Sequence, residues 1–213
     1  MKPVNELLKL YFVMGSINCK VDPRTVLREA LEGGVTLFQF REKGKGSLKG
    51  QEKINLASDL QSICKEFKVP FLVNDDIDLA VTLNADGVHI GQEDDTVQEV
   101  RKKIGANKII GVSVHTIEEA KKAIEDGADY LGVGPIYSTN TKTDTRSVQG
   151  PDGIKIMRDA DINLPIVGIG GISESNANEV MAAGADGVAV VTAISHADSC
   201  KAAAEKLLAE VNR

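Results

Sequence analysis

The chain has 213 residues, 42% hydrophobic and 26% charged, with a formal net charge of −6. That length suits one large α/β domain, the composition argues against disorder, and the acidic balance does not favour nucleic acid or an anionic membrane as partner. No apolar run approaches the roughly 20 residues of a membrane span.

The N-terminal MKPVNELLKLYFVMG carries Glu6 and Lys9 where a signal peptide would be apolar. Cys19, Cys64 and Cys200 form no C-x-x-C pattern. A reducing, cytoplasmic setting is therefore expected, rather than a disulfide framework or a zinc site.

Short β-branched apolar runs alternate with amphipathic, helix-like segments along the whole chain. The first strand is expected at 8–15, before a helix near 22–33. Strands at 35–42, 70–75 and 87–91 precede helices near 49–67, 76–84 and 94–103. A fifth strand at 109–115 leads to a helix near 116–127, and a sixth at 130–137 to one near 153–161. The seventh, 165–171, and the eighth, 187–194, lead to helices near 173–183 and 197–212.

Thr116-x-x-Glu119 reads as a capping box and Ser173-x-x-Asn176 as an N-cap pattern. The stretches beginning Asn84-Ala-Asp86, Gly127-Ala-Asp129 and Gly184-Ala-Asp186 are variants of one helix end and strand start. Eight βα units in a single domain, 1–213, predict a (β/α)8 TIM barrel. No G-x-G-x-x-G follows the first strand, which argues against a doubly wound open sheet.

In such barrels the site is built from strand C-terminal ends. After the second strand, Gln39, Arg41 and Lys43 alternate to one side while Phe38 and Phe40 take the other. Two cations and an amide then converge at the barrel mouth, where Arg offers a planar fork for phosphate and Lys a mobile point charge. Asn74, Asp75 and Asp76 follow the third strand, and Asp94 and Asp95 the fourth. Asp75 and Asp94 are expected to share a hard cation, Mg²⁺, whose other positions go to water and substrate phosphates. Asp76 and Asp95 are read as helix caps.

Ser113 and His115 end the fifth strand, and His115 is read as structural, as is His89. His196 is expected in solvent. Thr139, Thr141 and Lys142 supply hydroxyls and a positive charge after the sixth strand. Gly168–Gly171 after the seventh strand and Val191-Thr192 after the eighth lie where barrels bind phosphate through backbone N–H groups. Two phosphate pockets and a cation site suit two phosphorylated substrates and a departing diphosphate. There is no Ser-His-Asp pattern and no mid-strand lysine for a Schiff base.

From Gln39 to about Ile194 the motifs QFREK, VNDD, ADGVHIGQED, GVSVHT, GPIYSTNTK, PIVGIGGI and GADGVAVVTAI resemble, in this order, the thiamine phosphate synthase (thiamine-phosphate pyrophosphorylase) family. The resemblance implies a Mg²⁺-dependent transfer of the methylene of 4-amino-5-hydroxymethyl-2-methylpyrimidine diphosphate to the nitrogen of thiazole phosphate, with release of pyrophosphate. It implies that Gln39, Arg41, Lys43, Asn74, Ser113 and Lys142 hold the pyrimidine diphosphate, and that Asp75 and Asp94 hold Mg²⁺. It assigns Thr139, Thr141, Gly171, Val191 and Thr192 to the thiazole phosphate. Arg41, Lys43, Ser113 and Lys142 are the expected catalytic groups. The stretch 143–151, with Asp144 and Arg146, carries the least specific part of the likeness. Alternatives are a thiazole tautomerase-like relative, for which His115 would matter, and a non-catalytic phosphometabolite-binding barrel. A homo-oligomer is compatible with the sequence, which sets no oligomeric state.

Overall fold

A computed structural model describes residues 2–139 and 147–213. Eight parallel strands close into a barrel in sequence order: β1 (Leu10–Met14), β2 (Leu37–Phe40), β3 (Phe71–Asn74), β4 (Gly87–Ile90), β5 (Ile109–Val114), β6 (Tyr130–Val133), β7 (Ile166–Ile169) and β8 (Gly187–Val190). The helices are α1 (Val4–Leu8), α2 (Pro23–Glu32), α3 (Gly50–Phe67), α4 (Ile77–Thr82), α5 (Val97–Ile104), α6 (Ile117–Glu125), α7 (Asp152–Asp159), α8 (Ala177–Ala182), α9 (Thr192–Ser195) and α10 (Cys200–Val211). The (β/α)8 expectation therefore holds.

The strands are shorter than their apolar runs. Leu8, expected in the first strand, closes α1, and the run expected to extend the eighth strand to 194 instead turns into α9 after Val190. In the sixth run, Pro135 has no N–H to give a ladder, and the strand stops at Val133.

Side-chain alternation splits the apolar residues into two cores. Leu10, Phe12, Phe38, Phe40 and Phe71 face the helices. Tyr11, Val13, Leu37, Leu72, Tyr130 and Val167 fill the barrel. Leu7 and Leu8 of α1 join that inner core. A Cβ on Gly187 would overlap the Leu8 carbonyl oxygen, so the first residue of β8 must be bare for α1 to seat.

The recurring Ala-Asp step has a physical cause at the strand N-terminal ends. The Asp86 carboxylate accepts from the Phe71 N–H, that of Asp129 from Ile110 and that of Asp186 from Ile166, each at 2.8 Å. Thr36 does the same for β1 and β2, its hydroxyl accepting from the Leu10 N–H at 2.8 Å. Each of the four residues also donates its own N–H back to the carbonyl of the same partner. The barrel is thus stapled in four strand pairs, β1/β2, β3/β4, β5/β6 and β7/β8. Arg101 and Arg158 brace two of the staples, on Asp129 and Asp186, both at 2.7 Å.

Three cap readings need correction. Thr116 does cap α6 through the Glu119 N–H at 3.1 Å, but the Glu119 carboxylate turns to the His115 N–H at 2.6 Å, so the box is half made. The complete box is Thr96–Glu99 at the start of α5. Asp95 caps nothing there and pairs with Lys103 at 2.6 Å. At α8 the roles are reversed: the Asn176 side chain accepts from the Ser173 N–H at 2.9 Å. Asp76 caps α4 as expected, accepting from Leu79 at 2.9 Å. No helix among the described residues is long and apolar enough to cross a membrane.

Candidate active site

A cavity of about 870 Å³ opens at the C-terminal ends of the strands. Its lining includes Gln39, Arg41, Lys43, Asn74, Asp75, Asp94, Ser113, Thr139, Gly171, Val191 and Thr192. These are the sequence-derived candidates among the described residues, brought together from seven strand ends. Thr141 and Lys142, with Asp144 and Arg146, lie outside the described residues.

The β2 alternation works as expected. Gln39 is buried inside the barrel and donates to the Tyr11 hydroxyl at 2.6 Å. Arg41 follows at the rim, its N–H held by the Met14 carbonyl at 2.9 Å. Lys43 reaches across to Asp75 at 2.8 Å. Between the two cations, Glu42 turns away and pins the loop. Its carboxylate accepts from the Ser16 N–H and hydroxyl and from the Leu48 N–H, at 2.6–2.7 Å. Its oxygens are engaged by these three donors, and among the described residues no ion pair joins it to Arg41 or Lys43.

The acidic side comes from β3 and β4. Asp75 sits at φ 58°, in the left-handed region that a non-glycine residue adopts at a cost. Asp94 accepts from the Gly91 N–H at 2.7 Å, and its carboxyl and that of Asp75 influence each other's titration. Burial pushes both carboxyls up. In Asp75 the Lys43 ammonium outweighs burial and holds the group below the usual carboxylate range. In Asp94 burial wins, helped by the charge of Asp75, and the group stays above it. The two carboxyls thus sit close enough to shift each other in opposite directions, and together they offer hard oxygen atoms at one side of the cavity mouth.

At β5, the Ser113 hydroxyl lies 2.8 Å from His89 Nε2, and the Ser113 carbonyl accepts from Gln92 at 2.7 Å. His115 Nδ1 lies 3.2 Å from the Glu119 carboxylate. On the other side, Gly170 and Gly171 take φ 103° and 65°, which favours glycine. A Cβ on Gly171 would come within 2.6 Å of the Ser138 carbonyl oxygen. The Gly turn therefore lets the β6 loop lie against it, with Ile136 and Tyr137 donating to the Ile169 and Gly170 carbonyls at 2.9 Å. That contact carries Thr139 to the cavity beside Gly171.

Sequence reasoning missed Tyr11, Asn18 and Gln92, which also line the cavity. Tyr11 carried a readable signal: it alternates with Leu10 and Phe12 and so points inward, where a buried phenol needs a partner. His89 was read as a packed, hydrogen-bonded residue; it is buried and hydrogen-bonded, and it also borders the cavity. His196 is exposed, as expected.

A family model described as thiamine monophosphate synthase matches residues 10–194. The thiamine-phosphate synthase of Bacillus cereus (strain AH820) is 60% identical over 99% of this chain and 95% of its own length. That of Bacillus anthracis (strain A0248) is 59% identical over the same shares. Among solved structures, the thiamine phosphate pyrophosphorylase from Pyrococcus furiosus superposes with a TM-score of 0.86 at 35% identity, covering 98% of each chain.

Proposed function

The chain belongs to the thiamine monophosphate synthase family, and from that premise we propose how its cavity carries out the transfer. The substrates are the pyrimidine diphosphate and thiazole phosphate, and the products are thiamine phosphate and pyrophosphate. The observation that carries this reading is the juxtaposition of Arg41 and Lys43 with the Asp75–Asp94 pair at one rim of the cavity. A tautomerase-like relative or a simple phosphometabolite carrier would not need such a cluster.

The bond between the pyrimidine methylene and its diphosphate oxygen breaks, and the electron pair leaves with the diphosphate. The electron-rich aminopyrimidine disperses the charge left on the methylene carbon. The thiazole nitrogen then donates its lone pair to form the new C–N bond. No proton is removed from the reacting atoms, so the site needs cations and hydrogen-bond donors rather than a poised base. Arg41 and Lys43 meet the growing charge on the leaving group, with Ser113 and Asn74 donating to it, and the resemblance assigns Lys142, outside the described residues, to the same diphosphate. Gln39 holds the pyrimidine. Thr139, Thr141 and the backbone at Gly171, Val191 and Thr192 hold the thiazole phosphate, which aligns its nitrogen for attack.

The donor set at Asp75 and Asp94 fits Mg²⁺. Asp75 and Asp94 offer hard carboxylate oxygens at the cavity mouth, and Mg²⁺ takes one or two such groups beside water and substrate phosphates. Bound there, the ion would neutralise diphosphate charge. The three cysteines are free thiols, in keeping with a cytoplasmic location.

The reading is tested by incubating the protein with both substrates and Mg²⁺ and following thiamine phosphate by mass spectrometry. Product that depends on both substrates is expected. Binding of either substrate without product would contradict the synthase reading and leave the tautomerase-like and carrier readings.

A further inference from the structure

A run of buried polar groups crosses the barrel interior beneath the cavity. Gln39 Nε2 lies 2.6 Å from Tyr11 Oη, and Tyr11 Oη lies 2.8 Å from Tyr130 Oη. Tyr130 Oη is 2.9 Å from His89 Nδ1, and His89 Nε2 is 2.8 Å from Ser113 Oγ. The sequence makes room for it: a Cβ on Gly111 would overlap the Tyr130 ring, and one on Gly132 would come within 3.0 Å of His89 Cε1.

The hydrogen count gives the run a direction. An amide nitrogen only donates, so Tyr11 accepts from Gln39. If Tyr130 also donated to Tyr11, the buried Tyr11 hydrogen would have no acceptor among the described residues. Tyr11 therefore donates to Tyr130. By the same count Tyr130 donates to His89 Nδ1, since a proton on that nitrogen would strand the Tyr130 hydrogen. Stranded buried hydroxyls are costly. Tyr11 and Tyr130 are both fully buried, and burial keeps both phenols protonated. With Nδ1 accepting, the ring proton sits on Nε2, which donates to Ser113 Oγ. The Ser113 hydrogen is left for the cavity.

We propose that Gln39, Tyr11, Tyr130 and His89 form a one-way hydrogen-bond chain that fixes Ser113 as a donor toward the anionic substrate, with His89 as its positioning residue. Bonds aligned head to tail polarise one another, and a hydroxyl that already accepts is a better donor to a phosphate oxygen. In the opposite direction Ser113 would donate to His89 and present only lone pairs to an anion, which would repel it. This inference rests on the proposed role of Ser113 at the diphosphate. It also makes a statement about the ligand-free protein that stands apart from that role.

Two measurements test it. Nitrogen NMR of the ¹⁵N-histidine-labelled protein is expected to show His89 with a protonated Nε2 and a bare Nδ1. The reversed tautomer, or a doubly protonated ring, would overturn the chain whatever the activity. A double-mutant cycle on pyrophosphate release then tests the action through Ser113. His89→Phe is expected to lower kcat/KM about tenfold in the wild-type background and to have little effect in Ser113→Ala. Equal losses in both backgrounds would mean a merely structural role. If His89→Phe does not fold, Tyr130→Phe, which removes one oxygen from the same chain, is read in the same cycle with the same expectation. A wild-type protein that releases no pyrophosphate would sink the proposed function while leaving the tautomer result intact.

Discussion

Lys43 Nζ and the Asp75 carboxylate meet at 2.8 Å across the barrel mouth, joining the loop after β2 to the end of β3. The Lys43 side chain is 62% exposed and that of Asp75 24%, so the cation stands in solvent while the carboxylate is largely covered. Substrate diphosphate and a metal ion would each find a charge already in place, held in check by the other. Asp75→Asn removes the charge and keeps the shape. It is expected to raise the Mg²⁺ concentration for half-maximal pyrophosphate release by roughly tenfold or more. An unchanged Mg²⁺ titration would count against ligation by Asp75.

The two carboxyls also set a pH dependence. Burial, with the Asp75 charge behind it, raises Asp94 above the ordinary value of 3.8, so it keeps its proton to higher pH than a solvated aspartate. A protonated carboxyl is a poor Mg²⁺ ligand. As pH falls through that raised value, Asp94 takes up a proton and the cation must displace it. Apparent Mg²⁺ affinity should therefore weaken on acidification before ordinary carboxylates titrate. Calorimetric Mg²⁺ titrations of the wild-type protein and of Asp94→Asn, from about pH 7 down to about pH 4, the ordinary carboxylate value, check this. The same pH profile of Mg²⁺ affinity in both proteins would contradict it.

Lys142, which lies outside the described residues, is assigned from the sequence alone to the leaving diphosphate. Lys142→Ala should cost about 2–4 kcal/mol of transition-state stabilisation, roughly 30- to 900-fold in kcat/KM, as for other donors aimed at developing charge. Near-normal kcat/KM in the variant would remove the residue from the mechanism.

At the opposite end of the barrel, Asp186 accepts from both the Ile166 N–H and Arg158. Asp186→Ala leaves a backbone donor and a guanidinium short of an acceptor, a loss of roughly 1–3 kcal/mol. For a chain of this size that lowers Tm by about 2–4 °C for each kcal/mol. Differential scanning calorimetry should find the shift, while Mg²⁺ half-saturation stays unchanged. No change in Tm would mean that the β7/β8 staple contributes nothing.

The barrel was legible because each apolar run is followed by an amphipathic segment, some of them opened by a side-chain cap such as Thr116, and eight such runs leave few alternatives. Its ends were less so. A run such as Gly187–Ile194 stays apolar through β8 and α9, and only the backbone says where one stops. The cavity-facing side of β2 followed from strand alternation alone, as Gln39, Arg41 and Lys43 illustrate. The network at Tyr11 and Tyr130 did not, because it joins strands far apart in sequence, and nothing local to either tyrosine names its partner. The Ala-Asp echo was visible as a repeat, but its purpose needed the neighbouring strand. Glu119 was misread for the same reason: two backbone N–H groups competed for it, and His115 won over Thr116.

The central claim is that this cavity joins two phosphorylated substrates with loss of pyrophosphate. The most direct test measures pyrophosphate release with the pyrimidine diphosphate and thiazole phosphate together, with and without Mg²⁺. Release that needs both substrates and falls sharply without the metal is the predicted result; no release under any of these conditions would contradict the account.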